Sequence, residues 1–317
     1  MTSIRTRIAC LVMLLACAVP GFASNRPAPE KKLRSEVKKA EREEPAKLPA
    51  SEAGETRAEA GAAQGSPAAA TAPADDPDLD VNKAQPDFAL SALPTTLRLP
   101  RNRMAFRLTH RFNEPLDEAG LADMFGMDSG ALIGLEFRYG LLPGGQVGFY
   151  RTSDRTIEFF TQYDVARQRG RMPVGIAAYA SVEGTDNFSD KYSPGLGAVI
   201  SRELGTRAAV YAEPFWVNNT NPDPSEIVDH NSTAIVGLGI RLRVLESTYV
   251  VAEVAPRIGG YDPGTTHAAF GIEKRAGGHL FQLTFANNPG TTLANMARGG
   301  PAGNNWYLGF NLSRKFY

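Results

Sequence analysis

The sequence predicts an all-β protein: an antiparallel up-and-down transmembrane β-barrel of about 12 strands, preceded by a disordered N-terminal spacer. Three observations predict it. Apolar and polar residues alternate with period two through the last two thirds of the chain. The segments that connect the alternating stretches swing between tight turns and long loops. The final stretch, NWYLGFNLSRKFY, carries Trp306, Leu308, Phe310, Leu312 and Phe316 on one parity, with Arg314 the exception, and Tyr307, Gly309, Asn311, Ser313 and Lys315 on the other. Residues of one parity in a strand share a face.

The alternation is clearest in five segments before the last. Met104, Phe106, Leu108, His110 and Phe112 oppose Ala105, Arg107, Thr109 and Arg111; Ile133, Leu135, Phe137 and Tyr139 oppose Gly134, Glu136 and Arg138. The same holds around Ile157–Val165, Val236–Leu242 and Phe281–Phe285. Six weaker segments lie near 146–152, 174–183, 195–202, 207–217, 249–257 and 267–274, which brings the count to twelve. Period-two alternation over such lengths marks strands with one apolar face.

The connections LLPGG, ELGT, LEST and RAGG are short, whereas NEPLDEAGLADMFGMDSG, NNTNPDPSEIVDHNST and NNPGTTLANMARGGPAGNN are long. An even number of antiparallel strands, with tight turns at one rim and long loops at the other, describes an outer-membrane barrel with both termini on the periplasmic side. Alternation alone does not say which face is inside. The secreted character of the chain, the Arg, Glu and Gly of the polar parity, and the aromatic-terminated last strand all favour an apolar face turned to lipid. That last strand is also the expected handle for the barrel-assembly machinery.

Domain organisation follows from composition. Arg5 and Arg7 precede the apolar run Ile8–Val19, then come Pro20 and the small residues around Gly21-Phe22-Ala23, so residues 1–23 have the layout of a secretory signal peptide. The run is too short to span a bilayer as a helix. Both cysteines, Cys10 and Cys17, lie inside it, so cleavage after Ala23 removes every thiol. Leu14-Leu15-Ala16-Cys17 also has the look of a lipobox, which would put a lipid on Cys17; the plain apolar signal core is the simpler reading. Residues 24–95 form an Ala/Pro/Glu/Lys-rich spacer with no aromatic between Phe22 and Phe88, too poor in apolar area to offset ordering entropy. The barrel occupies 96–317.

Within the spacer, 26–47 carries 8 basic and 5 acidic residues and 48–95 carries 2 basic and 8 acidic. The basic stretch is a solvated charge run or a periplasmic contact site. The alternate carboxylates Asp76, Asp78 and Asp80 mimic a calcium loop, but Val81 replaces the required glycine and Asp87 the final bidentate glutamate, so no metal is assigned.

Lys+Arg and Asp+Glu are both 34, which gives no electrostatic reason to expect nucleic acid. No phosphate-cradling, zinc-protease, CxxC or GxSxG motif is present. His110, His230, His267 and His279 are not at metal-ligand spacing; the first and last fall on strands, where a rim or interface position is the default. His230 beside Asp229 and Ser232 offers acid, base and nucleophile only on paper, because triads are assembled from distant positions. The expectation is therefore a non-enzyme without cofactor, with an outer-membrane lipid hydrolase the least favoured alternative. The candidate lumen residues are Arg107, Arg111, Arg138, Arg241, Arg243 and Arg257 against Glu136, Glu158, Asp164, Glu213 and Glu253. A near balance suggests internal ion pairs bracing the wall, or a narrow passage with slight anion preference. Twelve strands lie between barrels filled by side chains and barrels with open channels. A narrow solute pore is the leading function; a non-conducting envelope scaffold or binding module using the long loops is the alternative.

His110-Arg111-Phe112, FGMDSGA at 125–131, RYG at 138–140, GGHLFQLTFANN at 277–288 and GFNLSRKF at 309–316 resemble a bacterial outer-membrane-type β-barrel family known only as a domain of unknown function. The resemblance covers about 96–317 and implies a barrel, with no activity, ligand or catalytic residue to carry over. By residue chemistry alone, FGMDSGA is a loop re-entering a strand, with Gly126 and Gly130 free in backbone angle. A loop folding into the lumen as a constriction is the less favoured reading of it.

Overall fold

The computed structural model describes residues 82–119, 123–221, 231–303 and 305–316. The strands are β1 (Met104–Phe112), β2 (Ala131–Leu142), β3 (Gly145–Thr152), β4 (Ile157–Ala166), β5 (Gly175–Gly184), β6 (Asp190–Leu204), β7 (Ala208–Asn218), β8 (Ser232–Leu245), β9 (Thr248–Ala255), β10 (Arg257–Gly260), β11 (His267–Ala276), β12 (His279–Ala286) and β13 (Tyr307–Phe316). Neighbouring staves pair antiparallel, and β1 closes on β13 with Leu108 opposite Leu312. Strand β10 continues the line of β9: both pair with β8, Leu238 facing Val254 and Ile235 facing Arg257, with a break at Pro256. Thirteen strands thus make a closed barrel of twelve staves. Closure removes every exposed sheet edge.

The two parities separate as the alternation predicts. Leu135, Phe137, Leu238 and Phe310 stand on the outer surface, 40–45% exposed. Phe106 lies against Phe137 and Phe149 against Phe159 on the same outer face, ring centroids 5.2 and 5.4 Å apart. The inner parity is buried although it carries Arg107, Arg111, Glu136, Arg138 and Arg241. An apolar exterior around a buried polar interior inverts the layout of a water-soluble barrel.

Something must bury that interior, and the spacer supplies part of it. The expected spacer boundary at residue 95 is wrong for its last stretch: Ala84–Leu93 and Thr95, Leu97 and Leu99 are buried inside the barrel. This stretch is a small hairpin. Leu90 N–H donates to the Leu93 carbonyl at 2.8 Å, Thr95 N–H to the Phe88 carbonyl at 2.8 Å, and Ala89 bridges Pro94. The tip at 90–93 points up the lumen, and the return limb leads into β1 at the barrel end where β1 begins and β13 ends. Residues 24–81 of the expected spacer, and the expected signal peptide, lie outside the described residues.

The opposite end is narrowed by the loop between β12 and β13. Its core is the short helix α1 (Leu293–Arg298), capped by the Thr292 hydroxyl, which accepts from Asn295 N–H at 3.2 Å. Gly299 follows with φ +78°, a backbone angle that glycine adopts without a Cβ penalty. Leu293, Ala294, Met296 and Ala297 are buried in one apolar cluster with Val199, Phe215, Val217 and Ile235 of the inner wall.

Candidate functional site: the lumen and its two closures

The lumen is a stack of two contact layers. In the lower layer, side chains of the wall grip backbone atoms of the hairpin tip. The Glu253 carboxylate accepts from the N–H groups of Ser91 (2.9 Å), Ala92 (2.9 Å) and Leu93 (3.2 Å), and meets His267 Nε2 at 3.0 Å. Successive N–H groups converging on one anion form a nest; here the anion belongs to the barrel. The carbonyls of the same turn face the cations. Arg107 donates to the Ser91 carbonyl at 2.6 Å and the Leu90 carbonyl at 3.3 Å, and Arg241 donates to the Ala89 carbonyl at 2.6 Å.

Neutral side chains complete the grip. Gln282 and Asn311 donate to the Leu90 and Ser91 carbonyls at 3.3 and 3.2 Å, and Ser313 donates to the Asp87 carboxylate at 2.7 Å. Farther down, Gln162 and Gln146 donate to the Thr95 and Leu97 carbonyls at 2.9 and 3.2 Å. The segment has no sheet partner of its own, so these contacts answer the requirement that buried backbone groups be paired.

Shape adds to charge. Leu93 and Leu90 occupy the space in front of Gly237 and Gly239 on β8, where any Cβ would collide with their methyl groups. Glycine in a strand interior weakens the strand and commonly marks close approach of another chain segment; the approaching segment is the hairpin tip. Phe88 lies under the Arg138 guanidinium, 5.3 Å from its ring centroid, and Phe160 lies at 4.5 Å from the same group.

The upper layer belongs to α1. Glu183 receives Arg298 at 3.0 Å and the Thr292 hydroxyl, and Glu158 accepts from Leu293 N–H at 3.4 Å. Arg298 also donates to Ser193 Oγ at 3.0 Å and the Thr220 carbonyl at 3.1 Å. Arg257 holds the helix end by donating to the Arg298 carbonyl at 2.6 Å, and pairs with Asp262. Tyr150 bridges the wall to the loop through Thr109 and Thr291.

The sequence candidates divide among these roles. Arg107, Arg241 and Glu253 hold the hairpin. Arg111 donates to Asn311 Oδ1 at 2.8 Å and reaches Ser91 Oγ at 3.3 Å. Arg138 pairs with Glu136 along β2. Asp164 is bound by Arg98 of the return limb. Glu158 and Arg257 serve the upper closure. Arg243 is half-buried at the terminal rim. Glu213 is fully buried with neither carboxylate oxygen hydrogen-bonded.

Several interior residues were not singled out from sequence. Glu273 forms a fully buried bidentate pair with Arg241, 2.8 and 2.9 Å. It shares parity with His267 in a segment whose alternation was already visible, so that signal was at hand. Glu183, Gln282 and Asn311 were findable in the same way. Of the histidines, His110 faces outward and stacks on Phe310, and His279 meets Arg314 at 2.9 Å. His230 lies outside the described residues. The FGMDSGA loop stays at the rim with Met124, Phe125 and Met127 exposed; the constriction is made by 287–306 instead. Among the described residues no three His, Cys, Asp or Glu side chains gather as a metal site.

The chain is similar to the NanC porin, at 7% identity over 68% of this chain and 100% of that one, TM-score 0.46. It is similar to the Acinetobacter baumannii outer membrane protein Omp33, at 11% identity over 68% and 99%, TM-score 0.39. A third similar structure is an active-site mutant of outer membrane phospholipase A from Escherichia coli, at 13% identity over 68% and 90%, TM-score 0.38. No curated protein matches it in sequence. Residues 87–316, a range that takes in the hairpin as well as every stave, match one family, and the chain belongs to it: the membrane bound beta barrel domain (DUF5777).

Proposed function

We propose that the protein is a narrow solute pore of the bacterial outer membrane, held shut in this conformation by its own N-terminal hairpin. Both termini then face the periplasm and the long loops face outward. The observation that carries this reading is the chemistry of the hairpin seat. The wall grips the tip through Glu253, Arg107, Arg241, Gln282 and Asn311 acting on backbone atoms, while Leu90 and Leu93 fill glycine hollows and Phe88, Leu97 and Leu99 bury apolar surface beside Ala105. Hydrogen bonds of this kind contribute only modestly in net because water can replace them. A wall of this polarity rewets when the hairpin withdraws, whereas an apolar seat would not.

The wall uncovered by withdrawal carries Arg107, Arg111, Arg138 and Arg241 against Glu136, Glu253 and Glu273. A near balance of this kind gives a passage with weak ion selectivity. The competing reading is a permanently closed envelope scaffold. It is favoured by α1, which fills the other end of the lumen and shares one apolar cluster with Leu90 and Leu93 of the hairpin.

Planar-bilayer recording decides between them. The full chain is expected to be silent or to open rarely, and deletion of residues 82–97 to give discrete conductance steps, with Arg243→Glu on the deleted background shifting the reversal potential toward cations. Silent bilayers from a deleted protein that still shows the gel shift of a folded barrel would remove the pore and leave the scaffold.

A further inference from the structure

The exposed charge of the barrel is polarised along its axis. At the terminal end, where β1 begins and β13 ends, the turns present Arg101, Arg103, Arg167, Arg169, Arg171 and Arg207, all exposed. Among the described residues there, the exposed acid is Glu246; Asp164 is bound by Arg98, and Glu203 is taken up by Asn82 and Gln85. At the opposite end the balance reverses: Asp117, Glu118, Asp123, Asp128, Asp154 and Asp190 are exposed, against Arg151 and Lys191, while Arg155 pairs with Asp186.

Three cations distinguish this collar from an ordinary solvated rim. Arg202 follows Leu196, Ala198 and Ile200 on the outward parity of β6. Lys274 follows Phe270 and Ile272 on β11, and Arg314 follows Phe310 and Leu312 on β13. All three are exposed and stand where the outer apolar band ends. They therefore leave the barrel sideways, toward the surrounding leaflet, and not upward into water. Arg314 lies 5.6 Å over the Phe316 ring, and Lys274 Nζ approaches Thr248 Oγ1 at 3.4 Å, so each stem runs along the rim. Long cationic side chains at the edge of an apolar band snorkel to the head-group level.

We infer that the collar centred on Arg202, Lys274 and Arg314 is a binding surface for anionic phospholipid head groups of the leaflet at the terminal end. The lateral cations reach the phosphates, and the turn arginines add a positive field over the same leaflet. The acidic opposite rim disfavours the same lipid there, so the collar also fixes which way the barrel prefers to sit in an asymmetric membrane. The collar binds such lipid whether or not the lumen conducts.

The test is the full chain reconstituted in phosphatidylcholine bilayers containing a trace of spin-labelled phosphatidylglycerol or spin-labelled phosphatidylcholine, with the motionally restricted fraction read by electron paramagnetic resonance. The anionic label should be selected several-fold over the zwitterionic one, and the selection should fall in 1 M NaCl, because exposed charges are screened within a few ångströms at about that strength. The triple variant R202Q/K274Q/R314Q should bring the selection close to one. The matched variant R151Q/R155Q/K191Q on the other rim should leave it unchanged. Equal restriction of the two labels by the unaltered protein, or selection that survives in the collar variant, overturns the inference. Should the triple variant fail to fold, the salt series on the unaltered protein and the three single variants decide the matter in its place.

Discussion

Two segments fill the lumen, and they are held there by different physics. The hairpin at the terminal end has almost no regular structure and is held by side chains of the wall acting on its backbone. The α1 loop at the other end is a capped helical turn that buries four side chains against the wall. Both segments bury apolar side chains in the same interior cluster. The hairpin's backbone, however, is answered by wall side chains that water can replace, whereas α1 makes helical bonds of its own and adds the Glu183–Arg298 pair. A segment held in the first way can leave without unfolding the barrel, and one held in the second way is part of the barrel's core. The contrast assigns the gate to the hairpin and the fixed constriction to α1.

Breaking the hairpin's anion seat should have the largest effect. Glu253→Ala strands three buried N–H groups and the His267 ring at once. Removing one partner of a buried charged network costs roughly 3–5 kcal/mol. Most of that cost should appear as hairpin release, because the β9 backbone ladder is untouched. A thiol reporter introduced by Ser91→Cys should react with a hydrophilic thiol reagent at least about a hundredfold faster in that background, as expected when roughly 3 kcal/mol of closure is lost, while the gel shift of the folded barrel persists. An unchanged reaction rate would show that the hairpin is fixed by something other than this carboxylate.

The complementary cut falls on α1. Leu293 is buried among wall residues and sits in front of Gly195. Leu293→Ala should cost about 2–4 kcal/mol, the loss expected for a buried leucine that leaves a cavity. If α1 belongs to the core, this loss lowers the thermal unfolding midpoint of the barrel and leaves the reactivity of the hairpin thiol where it was. If the loop instead detaches alone, the midpoint holds and a thiol introduced by Ala294→Cys becomes reactive. Whichever readout moves says which kind of closure α1 is.

A steric change sharpens the hairpin side without touching charge. Gly239→Val puts a branched side chain where the Leu90 methyl group sits. The obstacle is the far end of a flexible leucine and not backbone, so the strand can accept the new residue once the tip moves. Overpacking of this order costs about 1–3 kcal/mol, and valine itself suits a strand. The hairpin thiol should become reactive, though less than with Glu253→Ala. Gly239→Val combined with Leu90→Ala should restore protection, a rescue that a general weakening of β8 would not give.

How far each closure could be seen in the sequence follows from the same contrast. The wall was legible because a strand between lipid and a polar lumen must alternate, and its outward residues, from Phe106 to Phe310, stand where alternation puts them. The interior charges were legible by the same parity, and Glu273, Glu183 and His267 obey it too, in segments whose alternation is weaker. The hairpin was not legible. DFALSALPTTLRL has no period, since its geometry is imposed by the cavity it fills and its backbone bonds go to side chains far away in the chain. The one local sign was Phe88, the first aromatic after a long interval without any. α1 carried more local information, a Thr cap before LANMAR and glycines after it, but a six-residue helix is too short to show an amphipathic period.

The smallest expected effect tests whether the cap of α1 also serves the wall. Thr292 has two jobs: its hydroxyl accepts from Asn295 N–H and donates to Glu183. Loss of a threonine cap alone costs about 1 kcal/mol. Glu183 would keep Arg298 as a partner after Thr292→Ala, so its carboxylate is not stranded. Thr292→Ser preserves both hydrogen bonds and removes only a methyl group. The alanine variant should lower the unfolding midpoint by a few degrees and the serine variant by less. A double-mutant cycle with Glu183→Gln then separates the two jobs: additive losses mean the hydroxyl acts only as a cap, and a coupling of about 0.5 kcal/mol or more means that it ties α1 to β5 as well.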